Sequence, residues 1–451
     1  MLIEIPEGFK VQMQQILGEE YPAFVEALSV AAPTSIRLNN AKKVEENDFD
    51  ELEKVLWHED GRYLETRPSF TLDPLFHAGA YYVQEASSMF VAEAIKQTVD
   101  LLKPLRVLDL CAAPGGKSTL LASLLNEQSI LVANEVIKTR VGVLKENLEK
   151  WGFPNYIVSN QDTETMAELE GFFDIVLVDA PCSGEGLFRK DPKAVNEWSG
   201  DSVQLCSARQ KRILQAAAYL VAPKGVLIYS TCTYNEKENQ ENVKWLTTIA
   251  DFESVPLTIP AEWKIVERAG GYQFFPHRTK GEGFFLSVFR QKAKDRNYPK
   301  TKVKLYRLPI KQSELIYKWL KNPEYFNYYV KSDRISIVGI PKQLEDEFGT
   351  VLKALEKRSS GLELGMFKGN DFIPSHALAL STAIADDLPA IELSKEDALR
   401  FLKKENLALD AAENGWFLAR YKGLNLGWMK VIGDRMNNYL PKEFRIRMDI
   451  D

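Results

Sequence analysis

Cysteine is scarce in this sequence, and its spacing excludes two common uses. The 451 residues contain four cysteines, namely Cys111, Cys182, Cys206 and Cys232. Four cysteines in so long a chain do not make the disulfide framework of a small secreted domain. None of them forms a C-x-x-C pair, so a zinc site is not expected. We therefore expect a reduced, cytoplasmic protein with no metal.

Long apolar runs are also missing. No run approaches the roughly 18 residues that a membrane helix requires, so we expect no membrane association. The first residues, MLIEIPEGFKVQ, lack the basic region and apolar core of a secretory signal. A content of 45% hydrophobic and 27% charged residues is typical of a globular chain. The length predicts two or three domains, and a monomer is the default expectation.

An overall excess of positive charge is absent, because the formal net charge is −6. This balance argues mildly against nucleic-acid binding. The charge is uneven, however, since residues 290–311 carry nine basic residues and one acid. A local basic strip can bind phosphates whatever the total charge. The strip is equally compatible with a solvated linker.

Apolar runs and helical patterns alternate from residue 105 onward, which favours a βαβ sheet. We expect an α/β fold with a mostly parallel sheet of about seven strands, preceded by a small α+β segment (residues 1–100, with a helix over 8–28). A linker and mixed α/β segment (293–385) and a compact β module (386–451) should follow. Strands are predicted at 105–110, 130–134, 156–159, 173–178, 226–230 and 284–289, and helices at 118–125, 138–151, 203–220, 236–249, 313–320 and 343–355.

The stretch RVLDLCAAPGGKST, residues 106–119, combines an apolar strand, a tight glycine turn and a helix start. This arrangement presents backbone N–H groups to a ligand at the carboxyl edge of a sheet. The stretch lacks the G-x-G-x-x-G spacing of a dinucleotide loop. It also fails the phosphate-loop pattern G-x-x-x-x-G-K-[ST], which would need glycine where Cys111 stands. A nucleotide-like ligand without that phosphate cradle is the resulting hypothesis.

Acidic residues follow three successive strands, where ligands of open α/β sheets bind. Glu135 ends the second predicted strand and could accept hydrogen bonds from a ribose diol. Asp162 follows the third and could hold an adenine amino group, and Asp179 ends the fourth. Single acids at strand ends are often only caps, but three in register suit a positively charged nucleoside such as S-adenosylmethionine. The strand from Asp174 to Asp179 also resembles the magnesium-holding strand of ATPases.

Two cysteines lie in turns directly after predicted strands. Cys182 stands in DAPCSGEG and Cys232 in STCTY, so both sulfurs should reach the same sheet edge. Cysteine is often only a small apolar residue, and we interpret Cys206 in that way. A thiolate that adds to C6 of a pyrimidine makes C5 nucleophilic enough to accept a methyl group. Such a thiolate needs a nearby cation, for which Lys190 is a candidate, although this lysine could instead contact phosphate.

Five motifs together resemble those of the Sun-type (NSUN) RNA cytosine-5 methyltransferases. They are CAAPGGKST, NEVIKTRVGVLKENLEKWG, DAPCSGEGLFRKDP, STCTYNEKENQENV and PHRTKGEGFF. Beyond them, GLELGMFKGNDFIPSHALAL, LGWMK and NNYLPKEFRIR resemble the tail of the bacterial RsmF group, which methylates small-subunit ribosomal RNA. The resemblance covers nearly the whole chain. It implies a Rossmann-like class I methyltransferase core, an RNA-contacting N-terminal cap and a C-terminal PUA-like module.

The resemblance also implies roles for individual residues. Cys232 would be the nucleophile, and Cys182 would assist product release near the C5 proton. In DNA cytosine methyltransferases the Pro-Cys cysteine is the nucleophile, so these roles depend on the resemblance and not on spacing. S-adenosylmethionine would be held by Cys111, Ala112, Ala113, Pro114, Gly115, Gly116, Lys117, Glu135, Asp162 and Asp179.

The leading hypothesis is thus S-adenosylmethionine-dependent methylation of C5 of cytidine in ribosomal RNA, either free or in the small subunit. Other RNA, such as tRNA, is an alternative substrate. Two hypotheses from other classes are a phosphate-loop ATPase, suggested by Gly116-Lys117-Ser118 and Asp179, and a non-catalytic RNA-binding factor. The intact cysteines and acids argue against the last of these.

Overall fold

The computed structural model describes residues 5–44, 49–292, 305–355, 358–407, 413–433 and 435–449. Part of the basic strip, residues 293–304, lies outside this range. Within the described ranges, no helix has the length and apolar character needed to span a bilayer.

The N-terminal segment is a small α+β unit. Its helices are α1 (Glu7–Leu17), α2 (Tyr21–Ser29), α3 (Pro74–Ala78) and α4 (Phe90–Thr98). The strands β1 (Thr34–Leu38), β2 (Lys54–Val55), β3 (His58–Leu64) and β4 (Tyr81–Val83) form an antiparallel sheet in the order β2-β3-β1-β4. The prediction of one helix over 8–28 is wrong in detail, because Gly18 adopts a positive φ of 53° and ends α1.

Among the described residues, the central sheet has ten strands. They are β5 (Arg106–Asp109), β6 (Ile130–Asn134), β7 (Tyr156–Ser159), β8 (Phe173–Asp179), β9 (Val221–Thr231), β10 (Phe252–Ser254), β11 (Val266–Arg268), β12 (Gly271–Phe274), β13 (Phe284–Gln291) and β17 (Arg358–Ser360). The order is β11-β12-β13-β9-β8-β5-β6-β7-β17, with β10 paired to β13. The five neighbouring strands β7, β6, β5, β8 and β9 are parallel to one another. The pairings outside this group are antiparallel.

The sheet is larger than the seven strands expected from the sequence. Six of the ten strands were located from the sequence. The four that were not, β10, β11, β12 and β17, have only three or four residues each. Such short segments carry no apolar alternation that could reveal them, since the neighbouring strand supplies their hydrogen bonds. The longer strands of the predicted mixed, mostly parallel α/β sheet are present.

Helices cover both faces of the sheet. They are α5 (Gly116–Leu124), α6 (Lys138–Trp151), α7 (Pro192–Glu197), α8 (Gly200–Leu220) and α9 (Gln240–Ile249). One apolar layer contains Leu120, Leu144 and Leu148, and the opposite layer contains Leu214 and Leu246. The sequence predicted α6 within its observed bounds, but α9 begins four residues later than expected because residues 235–239 form a turn.

The remaining chain forms two further sheets. The middle segment has strands β14 (Tyr306–Arg307), β15 (Phe326–Val330), β16 (Ser336–Pro341), β18 (Leu362–Lys368) and β19 (Asp371–Pro374), with helices α10 (Ile310–Tyr317), α11 (Glu345–Ala354) and α12 (His376–Leu380). The last sheet orders β20 (Ala390–Glu392), β21 (Gly415–Tyr421), β22 (Leu424–Ile432) and β23 (Arg435–Asn438) in sequence beside α13 (Lys395–Leu402). Trp428 of β22 packs edge-on against Trp319, with ring centroids 5.3 Å apart, so the two segments share a core.

Candidate active site

A cleft of about 460 Å³ opens at the carboxyl ends of the parallel strands. Its size is suited to a nucleoside-like ligand. Its lining includes five of the residues predicted to hold the cofactor, namely Cys111, Ala113, Glu135, Asp162 and Asp179. Arg140, Arg209 and Arg212 lie along the same lining.

The other five predicted residues lie in the turn after β5 (Ala112, Pro114 and Gly115) and at the start of α5 (Gly116 and Lys117). Gly115 has a φ of 115°, which a side chain would strain, and it caps the start of α5. The Ala112 amide donates to the Asn134 carbonyl at 2.8 Å, and the Asn147 amide donates to the Pro114 carbonyl at 2.8 Å. Both sides of the turn are therefore held by hydrogen bonds to neighbouring elements. Whether all ten predicted residues bind the cofactor stays a prediction.

The acid of the second strand is the most buried of the three. The side chain of Glu135 accepts the Ile137 amide at 2.8 Å and lies 3.3 Å from the Arg140 guanidinium. Asp162 accepts the Glu164 amide at 3.2 Å, so it also caps a short helix. Both carboxylates face the cleft from the tips of adjacent strands, as the sequence predicted.

Asp179 belongs to an ion pair that links the cleft to the thiols. Its Oδ2 lies 2.8 Å from Nζ of Lys117, and its Oδ1 accepts the Ser230 hydroxyl at 2.8 Å. Burial disfavours the charged amine, but Asp179 outweighs this penalty and raises the pKa of Lys117. A smaller contribution comes from Cys232. The Asp179 carboxylate thus favours the charged form of Lys117.

Asp109, at the end of β5, is a buried acid that the sequence reasoning missed. Ser118 donates to its Oδ2 at 2.6 Å, while Oδ1 has no hydrogen-bond partner among the described residues. Burial raises the pKa of Asp109 to about 7, partly opposed by the Ser118 hydrogen bond. The hydroxyl and amine that a phosphate loop needs, on Ser118 and Lys117, are therefore already bonded to carboxylates. This geometry argues against a magnesium-nucleotide site.

The donor set of the cleft suits S-adenosylmethionine. Carboxylates at three strand ends can accept hydrogen bonds from ribose and amino groups, and their negative charge favours a sulfonium. Of the residues from Ala113 to Gly116, Ala113 is the one that lines the cleft. In the part of the chain that the structure describes, no group of three or more histidines, cysteines or acids could hold a metal ion.

The two cysteines of the predicted pair meet at this sheet edge. Sγ of Cys182 lies 3.1 Å from Sγ of Cys232, and the Cys232 amide points at the Cys182 sulfur at 3.3 Å. The Gly186 amide donates to the Cys232 carbonyl at 2.8 Å. A Cβ at Gly186 would come within 2.4 Å of the Gly283 carbonyl oxygen and 2.8 Å of the Cys232 one. Glycine at this position therefore lets the two loops approach each other closely.

The two thiols are not equivalent. The hydrogen bond with Cys232 and, second, burial raise the pKa of Cys182 well above its ordinary value. Cys182 therefore stays a neutral thiol that can donate to the sulfur of Cys232.

Lys190, predicted to contact substrate, lies beside an acid. Its Nζ is 3.8 Å from Glu282, whose buried carboxylate also pairs with Arg189 at 2.9 Å. Lys117, whose amine pairs with Asp179, is a second candidate for the cation near the thiols. Substrate contact at Lys190 stays a prediction.

Two further buried acids flank the thiol loops, and the sequence reasoning did not select either. Glu185 lies on the Cys182 loop, is fully buried and accepts hydrogen bonds from Tyr234 and Asn235 of the Cys232 loop. Glu238 accepts the Ser183 amide at 3.0 Å, and burial raises its pKa to about 7, opposed by hydrogen bonds from Ser183 and Gln210. The position of Glu185, three residues after Cys182 in the same glycine-rich turn, was the available signal.

Three segments of the chain match known protein families. Residues 97–290 match the family described as 16S rRNA methyltransferase RsmB/F. Residues 5–86 match the N-terminal domain of 16S rRNA methyltransferase RsmF, and residues 388–446 match the methyltransferase RsmF PUA domain. The three matches follow the order of the segments in the fold.

Relatives along the whole chain and solved structures agree with these matches. The chain is 31% identical to ribosomal RNA small subunit methyltransferase F of Vibrio vulnificus over 98% of both chains. It is also 31% identical to the protein of that name from Shewanella loihica, over 93% of this chain and 88% of that one. A methyltransferase homolog from Pyrococcus horikoshii superposes with a TM-score of 0.55 and 27% identity over 64% of this chain and 96% of that one. NSun6 from Pyrococcus horikoshii, solved with SFG, shares the fold with a TM-score of 0.55 and 20% identity over 65% of this chain and 100% of that one.

These matches bear out the expected family, the α/β methyltransferase fold, the S-adenosylmethionine dependence and the PUA-like module. The chain belongs to the RsmF family of 16S rRNA methyltransferases.

Proposed function

We propose that the enzyme methylates C5 of cytidine in 16S ribosomal RNA through a covalent bond between Cys232 and C6 of the base. The observation that carries this proposal is the pair of sulfurs 3.1 Å apart beside a cleft ringed with carboxylates. Two thiols next to a methyl-donor site suit a reaction in which one thiol adds to the base and the other serves the later elimination. The RNA substrate follows from the names of the relatives.

The roles of the residues follow from their charges. The Cys232 thiolate, favoured by Lys117, adds to C6 of the cytosine and pushes electron density to C5. S-adenosylmethionine, when bound, supplies an electrophilic methyl group at the mouth of the cleft. Loss of the C5 proton then returns the electrons that break the bond between C6 and the Cys232 sulfur. Cys182, held neutral 3.1 Å from that sulfur, is placed to pass its own proton to the departing Cys232 sulfur and to take up the C5 proton, so that both cysteines end as thiols.

Cofactor binding is assigned to the cleft and its turn. Glu135 would accept the ribose hydroxyls, Asp162 the adenine amino group, and Asp179 would lie near the methionine part. The backbone from Cys111 to Lys117 would form the floor. Lys190 would contact the RNA once the substrate approaches the Arg189–Glu282 pair.

Each of the four segments of the chain is assigned a role in this reaction. Residues 1–100 would contact RNA as a cap, 101–292 would form the catalytic core, 293–385 would link, and 386–451 would bind RNA as a PUA-like domain. The target base must leave its stack to reach the thiols. We propose that the enzyme acts as a monomer in the cytoplasm, on free ribosomal RNA or on the small subunit.

Bisulfite sequencing of 16S ribosomal RNA tests the proposed reaction. RNA from a strain that lacks the gene should lose at least one 5-methylcytidine, and purified enzyme with S-adenosylmethionine should restore it. Unchanged 16S methylation together with loss of 5-methylcytidine from tRNA would assign the enzyme to the other substrate class.

A further inference from the structure

The carboxylate of Glu185 lies between the two thiol loops and the N-terminal helix α1. Glu185 follows Cys182 by three residues, and Asn235 follows Cys232 by three. The Glu185 carboxylate accepts the Tyr234 amide at 3.1 Å and the Asn235 side-chain amide at 3.2 Å. One acid on the Cys182 loop therefore holds two successive residues of the Cys232 loop.

A glutamine of the N-terminal segment completes this arrangement. The Gln12 amide nitrogen lies 3.1 Å from both oxygens of Glu185, and its oxygen accepts the Asn235 amide at 2.6 Å. The Trp198 indole adds a fourth donor to Glu185 at 2.9 Å. Gln12 thus bonds to both loops at once, from a helix outside the catalytic core.

Apolar packing fixes α1 in this position. Phe9, on the same helix, packs 4.8 Å from Phe188 and 6.3 Å from Tyr234, measured between ring centroids. Phe188 follows the Cys182 loop and Tyr234 belongs to the Cys232 loop. A shift of α1 would therefore move the hydrogen-bonding amide of Gln12 relative to both cysteines.

Glu185 is held by neutral donors, which suits a clamp rather than a proton carrier. Every hydrogen bond named above to this carboxylate comes from an amide or indole N–H. Because these donors come from α1, from Trp198 and from the Cys232 loop and meet at one carboxylate, they specify the separation of the groups that donate them. The sulfurs lie at one end of the same two loops, where Gly186 and Cys232 also share a backbone hydrogen bond.

We propose that Gln12 and Glu185 form an interdomain clamp that aligns Cys182 with Cys232, so that the N-terminal segment is a positioning part of the active site. This inference depends on the proposed roles of the two cysteines. Gln12 does not touch the base, so it is a positioning residue and not a catalytic one. RNA that contacts α1 would then act on the alignment of the thiols.

Substitution of Gln12 tests the clamp without touching the thiols. Gln12 lines an open cleft of about 570 Å³, so a change at this position does not open a closed core. Gln12→Glu keeps the shape of the side chain and sets two carboxylates against each other. Gln12→Ala removes the bridge, and Gln15→Glu, at an exposed position on the same helix, is the matched charge control.

Single-turnover methyl transfer should fall at least tenfold in Gln12→Glu and several-fold in Gln12→Ala, with the KM for S-adenosylmethionine within twofold of wild type. The Gln15→Glu variant should react like wild type. Equal single-turnover rates in Gln12→Glu and Gln15→Glu would overturn the clamp, as would a loss explained wholly by a raised KM.

Two cysteine variants separate failure of the clamp from failure of the proposed function. The Cys182→Ala enzyme must accumulate an RNA adduct, and the double variant Cys182→Ala/Cys232→Ala must form none. If both or neither form it, the proposed chemistry fails, and the clamp fails with it. If the adduct requires Cys232 and Gln12→Glu still transfers the methyl group at the wild-type single-turnover rate, the clamp alone fails.

Discussion

The Lys117 amine lies 2.8 Å from Oδ2 of Asp179, at the boundary between the cofactor cleft and the thiol pair. The Lys117 side chain is mostly buried and packs over the Phe284 ring, with Nζ 5.4 Å from its centroid. A single ion pair thus connects the strand end that faces the cofactor with the environment of Cys232. The positive charge of the buried Lys117 amine can stabilise a thiolate near this pair.

Replacement of Lys117 by methionine should slow the attack on the base. The Cys232 thiolate would lose a nearby positive charge, and Asp179 would be left without its partner. We expect the rate of adduct formation at pH 7 to fall at least tenfold, corresponding to about 1.4 kcal/mol. The rate should recover partly as the pH is raised from 7 to 9. Lys145→Met, which removes a lysine paired with Glu149, is the control and should behave like wild type.

Glu135→Gln should weaken cofactor binding. The ribose hydroxyls would lose a charged acceptor, which is worth about 1.5–3 kcal/mol. Titration calorimetry with S-adenosylhomocysteine should show a dissociation constant raised by at least tenfold. The control is Glu164→Gln, an exposed acid next to the cleft, and it should bind normally. Equal affinity in both variants would remove Glu135 from the cofactor site.

Glu238 predicts how stability changes with pH. Burial raises its pKa from 4.5 to about 7, so between these values the folded protein keeps a proton that the unfolded chain has released. The free energy of unfolding should therefore fall as the pH rises through this window, by roughly 3 kcal/mol at most. Gln210 and Ser183 face the carboxylate with hydrogen bonds, and Glu185 with a like charge.

Glu238→Gln should flatten that dependence. The melting temperatures at pH 5 and pH 8 should differ less in this variant than in wild type, because the variant should melt at a higher temperature than wild type at pH 8. Glu241→Gln, at an exposed position on α9, should keep the wild-type difference. If the melting temperature of the wild type rose from pH 5 to pH 7 relative to that of Glu238→Gln, the raised pKa of Glu238 would be contradicted.

RNA binding by the C-terminal module should depend on surface charge. Trp428 joins this module to the middle segment, so point variants are a cleaner probe than deletion. Exchange of the exposed Lys442, Arg445 and Arg447 for glutamine should weaken RNA affinity and lower the salt slope by about two to three. The exposed Lys103→Gln should leave both unchanged. An unaltered salt slope in the triple variant would mean that this surface does not contact phosphates.

The sequence predicted the parts of the fold that carry strong local signals. The strand β8 and helix α6 were located within a residue because a long apolar run and a full helical period mark them. The edge strand β17 was not, because its Arg358-Ser359-Ser360 is polar and gains its pairing only from β7. The strand β17 forms because it contacts β7 in the folded protein, and the local sequence pattern carries no information about that contact.

Some residues of the candidate site could likewise be selected from the sequence, and others could not. Residues at strand ends, such as Glu135 and Cys232, follow from topology and could be selected before the structure was known. Asp109 also ends a strand and Glu185 shares a turn with Cys182, but neither was selected, because their burial and hydrogen-bond partners are visible only in the fold. Lys190 as the cation near the thiols stays a prediction. Lys117 is a second candidate that sequence reasoning did not consider for this role, because its pairing with Asp179 depends on the sheet.

The central claim is that Cys232 bonds covalently to the base and that Cys182 serves its release. The most direct measurement is denaturing electrophoresis of 16S ribosomal RNA after incubation with S-adenosylmethionine and each cysteine variant, with 5-methylcytidine quantified by mass spectrometry. Cys232→Ala should give neither adduct nor product, whereas Cys182→Ala should accumulate a slow-migrating protein–RNA band. An adduct trapped in Cys232→Ala, or full methylation by that variant, would contradict the account.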